Sequence, residues 1–305
     1  MIETHLLLED ALEGMSSLED NSIGLILTDP PYFLEKLSDD WKADDARTKK
    51  TTVSSLPSGM KFDRKQSYAF QEFYSKVSAE AFRVLKPGGF FLSFSAARLY
   101  HRMAVSVEDA GFEMRDMMAW LYPTGQAKAA GQAHVVRKNR TLGLTDEEKE
   151  SLIQEMEGWK TPQLRPAIEP ICFAQKPKQG TFVENWTKYK TGLINTTQTL
   201  NNGKTPTNVV TEDEFHEDFD SLFLVNKPKK ESYNNHPTVK PSSLCTHLIK
   251  LLTVEGEWVV DPFLGSGTTG VSAVVSNRNF IGFDISPEYI EISEKRISEI
   301  TKNTS

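Results

Sequence analysis

The stretch from Glu257 to Gly270, "EWVVDPFLGSGTTG", changes character at its midpoint. Its apolar, valine-rich start reads as a buried strand, and its glycines lead into the helical pattern of "TGVSAVVSN". Gly265, Gly267 and Gly270 satisfy the G-x-G-x-x-G spacing, in which glycines let the backbone approach a cofactor. "NFIGFDI" reads as the next strand and ends on Asp284, 17 residues after Gly267. An acid there accepts hydrogen bonds from ribose hydroxyls. Taken alone, the pattern fits a dinucleotide-binding dehydrogenase as well as it fits any other adenosine cofactor. A P-loop is disfavoured, because no Lys-Ser/Thr follows the glycines.

A second apolar run, "LILTDPPYFL" (25–34), ends in an acid, two prolines and a tyrosine. The prolines remove two backbone donors and stiffen the chain directly after a buried strand. Taken alone, Asp29 reads as a turn or capping acid and Tyr32 as a half-buried core ring.

Around these two boxes, strands and helices alternate. "THLLLED" (4–10) reads as a strand, "ALEGMSSLED" as a helix or turn, and "IGLILTD" as a strand. "AFQEFYSKVSAEAFRVL" reads as a helix stopped by Lys86-Pro87-Gly88-Gly89, followed by the strand "FFLSFS". A helix in "ARLYHRMAVSVEDAG" and strands in "FEMRDMMAWLY" and "AIEPICFAQKP" follow, then the helix "PSSLCTHLIKLLT" and, last, the helix "PEYIEISEKRISEI". The pattern predicts an α/β fold with a parallel, doubly wound sheet. Its interruptions are an irregular loop at 36–67, a basic insertion at 123–165 containing the charged helix "TDEEKESLIQEMEG", and an irregular Asn/Thr/Lys-rich region at 178–235. The expected organisation is an N-terminal α/β half (1–122), the insertion (123–165), a strand rejoining the sheet (166–177), the second irregular region (178–235) and a C-terminal α/β half with the glycine box (236–305).

Nothing approaches the roughly 20 apolar residues of a membrane span, and the N-terminus lacks a basic leader, so a cytoplasmic location is expected. Cys172 and Cys245 are too isolated for a disulfide framework, and no Cys/His cluster has zinc spacing. The net charge of -7 disfavours a nucleic-acid binder unless basic surface is local. It is local: Met117 to Thr145 contains no acid, while Lys128, Arg137, Lys138 and Arg140 cluster there.

The Asp29-Pro30-Pro31-Tyr32 box, "NNHPTVKP" (234–241) and "DPFLGSGTTG" (261–270), in this order, resemble the motif set of β-class DNA amino-methyltransferases of phage and restriction–modification systems. "FRVLKPGG", "LRPAIEPICFAQKP", "TFVENWTKYKTG" and "IGFDISPEY" add to the similarity. It extends over nearly the whole chain except 36–67 and parts of 123–160 and 195–230. The resemblance implies a circularly permuted, Rossmann-like, S-adenosylmethionine-dependent methyltransferase sheet with an inserted target-recognition region. Such a sheet needs one more strand after the ribose-binding one, yet only a helix pattern follows Asp284. The N-terminal "THLLLED" is then the missing strand, and Asp10 matches the family acid that binds the cofactor's adenine amine.

From the resemblance, Asp29, Pro30, Pro31 and Tyr32 are the catalytic set, with Phe33 as a second apolar contact for the base. The cofactor is expected to meet Asp10, Ala11, Asp29, Lys240, Asp261, Phe263, Gly265, Ser266, Gly267, Thr268, Thr269, Asp284 and Ile285. No metal is expected. The implied partner is double-stranded DNA, contacted by Lys128, Arg137, Lys138 and Arg140; a cognate restriction endonuclease and a homodimer are further partners the family allows. An acid heading the box leans to the N6 amine of adenine in this family, and serine there to cytosine N4, so a cytosine enzyme stays open. A non-catalytic DNA-binding subunit of the same fold is the more remote alternative.

Overall fold

The computed structural model describes residues 2–32, 64–122, 129–139, 142–162, 164–197, 206–211, 223–224, 231–236 and 239–304. Phe33, Lys128, Arg140 and most of the 36–67 loop lie outside them. The chain divides into two compact units, Met1–Trp120 with Glu169–Ser305, and Leu121–Ile168.

The larger unit is built on a sheet whose strands are β1 (Thr4–Leu8), β2 (Ile23–Thr28), β3 (Leu85–Phe94), β4 (Glu113–Leu121), β5 (Ile168–Gln175), β6 (Val209–Thr211), β7 (Phe223–Leu224), β8 (Trp258–Asp261) and β9 (Asn279–Asp284). Their spatial order is β1-β9-β8-β2-β3-β5-β4-β6-β7. All six residues of β2 are buried, as a strand covered on both faces requires. Ile23 and Ile26 face a core shared with Met15 of α1 (Ala11–Ser16), Tyr74 and Val77 of α2 (Arg64–Val84), and Met103 and Val107 of α3 (Tyr100–Asp109). Alternation places Leu25 and Leu27, also buried, on the face opposite Ile26, and the register irregularity between Ile23 and Leu25 brings Ile23 into the same core as Ile26. Three more helices complete the unit's second half: α7 (Ser242–Leu252), α8 (Thr268–Val275) and α9 (Pro287–Thr304).

The first and last strands pair in parallel, from Thr4 opposite Phe280 to Leu8 opposite Asp284. The N-terminal segment therefore supplies the strand that the permuted order demands. β8 pairs in parallel with β9 on one side and with β2 on the other, so the direction of winding reverses between β8 and β2. In doubly wound sheets, ligands bind in the crevice outside the strand ends at such a point.

Four expectations need correction. The sheet is not wholly parallel, since β5 runs antiparallel to β3, with Phe90 opposite Gln175 and Phe94 opposite Ile171. Residues Arg64–Ser67 already belong to α2 rather than to the preceding loop. Lys86-Pro87-Gly88-Gly89 does not separate helix from strand; α2 ends at Val84 and these residues lie within β3, at a register shift against β2. The 178–235 region is not uniformly irregular, because it contains α6 (Phe182–Tyr189) with a full capping box between Thr181 and Glu184.

The last two corrections have one physical cause. Gly88 sits at φ +77°, and a Cβ there would lie 2.5 Å from the Asn185 amide nitrogen. Asn185, buried in α6, donates to the carbonyls of Pro87 and Thr191, both at 3.0 Å, and accepts from the Gln179 amide at 2.9 Å. The turn-forming sequence is thus held in the sheet by a helix packed on it.

The smaller unit carries α4 (Gln132–Lys138) and α5 (Asp146–Glu155), around a core of Ala133, Val136 and Ile153. Thr145 and Glu148 form the capping box of α5. The Tyr122 amide donates to the Ala167 carbonyl at 3.0 Å, where the chain leaves and re-enters the sheet strands. Among the described residues, no helix is long and apolar enough to cross a membrane.

Asn185→Ala removes two buried hydrogen bonds and one half-buried one, and leaves two carbonyls without that donor. We expect a loss of about 2–3 kcal/mol in urea unfolding; a loss under about 0.5 kcal/mol would show that α6 does not hold the β3 bulge.

Candidate active site

The ends of β8 and β2 are tied by a buried hydrogen bond, from the Thr28 hydroxyl to Asp261 Oδ1 at 2.7 Å. Asp261 Oδ1 also accepts the Phe263 amide at 3.1 Å, which turns the chain toward the glycines. Burial pushes the Asp261 pKa up to about 6, while the hydroxyls of Thr28 and Thr269 and the Phe263 amide restrain the rise.

The glycine turn that follows needs its residue types. Gly265 and Gly267 have φ of +51° and +76°, and Gly267 caps the start of α8. A Cβ on Gly265 would lie 2.8 Å from His236 Nε2, and one on Gly267 2.6 Å from Ser293 Oγ. Asp284 accepts the Gly265 amide on Oδ2 and the Ser286 amide on Oδ1, each at 2.8 Å. Burial raises its pKa, and these backbone amides oppose the rise. Ile285 beside it is exposed, Ala11 is buried, and the exposed Asp10 caps α1 by accepting the Leu12 amide at 2.9 Å.

The hydroxyls of Ser266, Thr268 and Thr269 are engaged within the protein, that of Ser266 with Arg296 at 3.4 Å. Thr269 reaches the Leu27 carbonyl at 3.4 Å. Arg296, buried on α9, donates to the Ser266 carbonyl at 2.6 Å and the Thr268 hydroxyl at 3.1 Å, and pairs with Glu231 at 3.0 Å. Arg296 escaped the sequence reading, since a basic residue in an amphipathic helix carries no local signal of a buried contact.

One strand away, Pro30 is buried and Asp29 is the meeting point of the Asp-Pro-Pro-Tyr box. The Tyr32 hydroxyl donates to Asp29 Oδ1 at 2.6 Å, and the Lys240 ammonium pairs with Oδ2. The same ammonium lies 3.2 Å from Glu169 Oε1, which is also 3.3 Å from the Tyr32 hydroxyl. Burial works against the Lys240 charge, yet Asp29 and Glu169 outweigh it and hold the pKa above the ordinary lysine value. Burial raises the pKa of Tyr32 well above the usual tyrosine value, with the charges of Asp29 and Glu169 adding to it. Glu169 likewise titrates high because it is buried, although Lys240 pulls it down. Glu169, at the start of β5, was not singled out from the sequence.

A cavity of about 40 Å³ lies among these groups, lined by Asp29, Lys240, Asp261, Phe263 and the glycine turn. The residues fit an adenosine cofactor: the turn excludes side chains where a backbone must be approached, and an acid stands beside it at the end of β9. Lys240 faces the same cavity and supplies a positive charge there. In the smaller unit, Arg137 and Lys138 are exposed on the last turn of α4, and Arg137 pairs with Glu157 at 3.2 Å.

An acid and an aromatic ring beside a glycine turn, at the switch point of the sheet, match the arrangement that the resemblance to amino-methyltransferases implied. The chain belongs to the N6/N4 DNA methylase family, whose profile matches residues 23–295. It is 30% identical to the type II methyltransferase M.HindIII of Haemophilus influenzae, over 96% of this chain and 94% of that one. It is 26% identical to the DNA adenine methyltransferase YhdJ of Escherichia coli, over 94% and 80%. Two solved structures share the fold at 19% identity. The cytosine-N4-specific PvuII DNA methyltransferase has a TM-score of 0.61, with 98% of this chain and 90% of that one covered. The M1.HpyAVI complex with S-adenosylmethionine has a TM-score of 0.54, with 96% and 98% covered.

The buried Asp261 generates a stability prediction. Its pKa is raised from 3.8 to about 6, so between these values the folded protein binds more protons than the unfolded chain. The stability contributed by this group therefore falls as pH rises from about 4 to about 6. Asp261→Asn removes that dependence, and its unfolding free energy relative to the parent is expected to increase by up to about 3 kcal/mol from pH 4 to pH 7. A relative stability that stays flat or declines over this window would show that Asp261 does not titrate this way.

Proposed function

We propose that the chain transfers a methyl group from S-adenosylmethionine to the N6 amine of an extrahelical adenine in double-stranded DNA. The observation that carries this reading is the position of Asp29, held by prolines at the end of β2 and joined through Thr28 and Asp261 to the glycine turn. When bound, S-adenosylmethionine supplies an electrophilic methyl group on a sulfonium. Lys240 answers its carboxylate, the glycine turn receives the methionine and sugar, and Asp284 accepts from the ribose hydroxyls. Asp10, Ala11 and Ile285 frame the adenine end, and Phe263 lines the channel between. Ser266, Thr268 and Thr269 shape the turn through the contacts that fix it.

An exocyclic amine is a poor nucleophile because its lone pair is delocalised into the ring. Asp29 and the Pro30 carbonyl accept its two hydrogens, which favours a pyramidal nitrogen with a localised lone pair. Pro30 and Pro31 fix the acceptors in advance, so little reorganisation is needed at the moment of reaction. The proton that the amine must release on gaining the methyl group would pass to the Asp29 carboxylate and on to solvent, leaving the donor as a neutral thioether. Tyr32 stacks on the base, which must leave the duplex to reach the site.

Adenine is favoured over cytosine by the acid at the head of the box and by the adenine methyltransferase among the relatives. Lys128, Arg137, Lys138 and Arg140 supply phosphate contacts in the 123–165 insertion, and 178–235 holds the target-recognition region. Residues 1–122 and 236–305 then form the catalytic and cofactor halves.

DNA from a methylation-free host expressing the chain should contain N6-methyladenine after digestion to nucleosides. N4-methylcytosine without N6-methyladenine would overturn the choice of base, and neither product would overturn the activity. Asp29→Ala should lower the single-turnover rate by about 10²–10³-fold; a parent-like rate would remove Asp29 from the mechanism.

A further inference from the structure

Both oxygens of the Asp29 carboxylate are engaged by the protein itself. Oδ1 holds the Tyr32 hydroxyl and Oδ2 holds the Lys240 ammonium. A carboxylate oxygen can accept a second donor, but a base amine approaching Asp29 must share its oxygens with these two. Tyr32 must also turn its ring to the base, which moves its hydroxyl. Each displaced donor sits in a poorly solvated setting, where losing its partner is costly. Lys240 is the more demanding case, because its side chain is 10% exposed and a buried ammonium needs a charged partner.

Glu169 Oε1 is within reach of both donors, at 3.2 Å from Lys240 Nζ and 3.3 Å from the Tyr32 hydroxyl. The Phe94 ring, its centroid 5.0 Å from Lys240 Nζ, offers the ammonium an additional attractive face. Two carboxylates thus compete for one lysine and one hydroxyl, and the tyrosine contact is tighter to Asp29. We propose that Glu169 is a positioning residue that releases Asp29 for the incoming base by taking over the Tyr32 hydroxyl and anchoring the Lys240 ammonium. The inference rests on the methyltransferase reading and extends it to a residue that touches neither base nor cofactor. Lys240 exchanges Asp29 for the cofactor carboxylate while keeping Glu169, so its charge is never left alone. No covalent bond changes in this exchange; hydrogen-bond partners are reassigned.

The test uses the full-length protein with its DNA site, identified by sequencing of methylated DNA. Glu169→Gln keeps the shape and removes the charge. It should lower the single-turnover methylation rate by roughly 10–100-fold with little change in KM for DNA. Glu169→Asp retains the charge on a shorter arm and should fall between this variant and the parent. A readout independent of methyl transfer is the fluorescence of 2-aminopurine substituted for the target base, which brightens when the base leaves the stack. At saturating protein, Glu169→Gln should capture a smaller extrahelical fraction, because Tyr32 and Lys240 stay on Asp29. A Glu169→Gln rate and fluorescence within twofold of the parent would overturn the proposal. So would a Glu169→Asp variant no faster than Glu169→Gln, since shape rather than charge would then decide. Should Glu169→Gln lose its cooperative thermal unfolding, Glu169→Asp decides: a fall of at least fivefold supports the exchange, and a parent-like rate overturns it. A parent protein that brightens 2-aminopurine without transferring methyl groups would mark failure of the activity, separately from failure of the exchange.

Discussion

The hydrogen bond from Thr28 to Asp261 joins the two halves of the chemistry. Thr28 is the last residue of β2 and Asp261 the last of β8, strands that pair side by side although 233 positions separate these two residues. One step beyond Thr28 comes Asp29, and four beyond Asp261 comes the glycine turn. The bond therefore sets the distance between Asp29 and the glycine turn. In the proposed function these are the acid offered to the base and the cradle offered to the methyl donor, and a methyl transfer needs its two reactants held within contact distance. The raised pKa of Asp261 expresses the cost of burying a carboxylate there, and two hydroxyls with one amide offset part of that cost.

Around this joint the site is organised by scarcity of positive charge. Lys240 stands between Asp29 and Glu169, and its burial makes it costly to leave unpaired. The glycine turn repeats the arrangement on its other side, where buried Arg296 stands between Glu231 and the turn's own oxygens. The two cations have different tasks. Arg296 binds the turn in several directions at once with a planar fork of donors, which suits a rigid support. Lys240 is a point charge on a flexible stem, which suits the partner exchange proposed for it.

Much of this arrangement was legible in the sequence because its parts are local patterns. The apolar run before Asp29, the valines before Asp261 and the spacing of Gly265, Gly267 and Gly270 each announce a strand end or a turn without reference to the rest of the chain. The placement of β1 beside β9 was also legible, once the resemblance to permuted methyltransferases required one more strand than the helix pattern after Asp284 supplies. What escaped were features made by distant partners. The segment Lys86–Gly89 looks like a helix stop, and it is held in β3 by partners distant in sequence: Asn185 and Thr191 on the Pro87 carbonyl, and Gln175 and Lys176 of the neighbouring chain segment on Gly88 and Gly89. Thr181-Phe-Val-Glu184 carried a capping signal for α6, masked by the Asn/Thr/Lys-rich composition that follows it.

Glu169 shows why a residue can matter and stay silent in sequence. In "AIEPICFAQKP" it is one acid at the head of an apolar strand, and alternating β and α segments suggest that such a strand runs parallel to its neighbours. A parallel β5 would start at the opposite edge of the sheet, far from Asp29. The antiparallel pairing of β5 with β3 reverses this, setting Ile171 opposite Phe94 and the Pro170 carbonyl against the Ser95 amide at 2.9 Å. The strand's first residues then lie beyond the end of β3, at the edge where β2 and β8 also end. Strand direction, which a single sequence does not reveal, thus converts a solitary acid into the second carboxylate of the site. A functional residue at the beginning of a strand is therefore to be sought wherever an otherwise parallel sheet admits an antiparallel member beside its switch point.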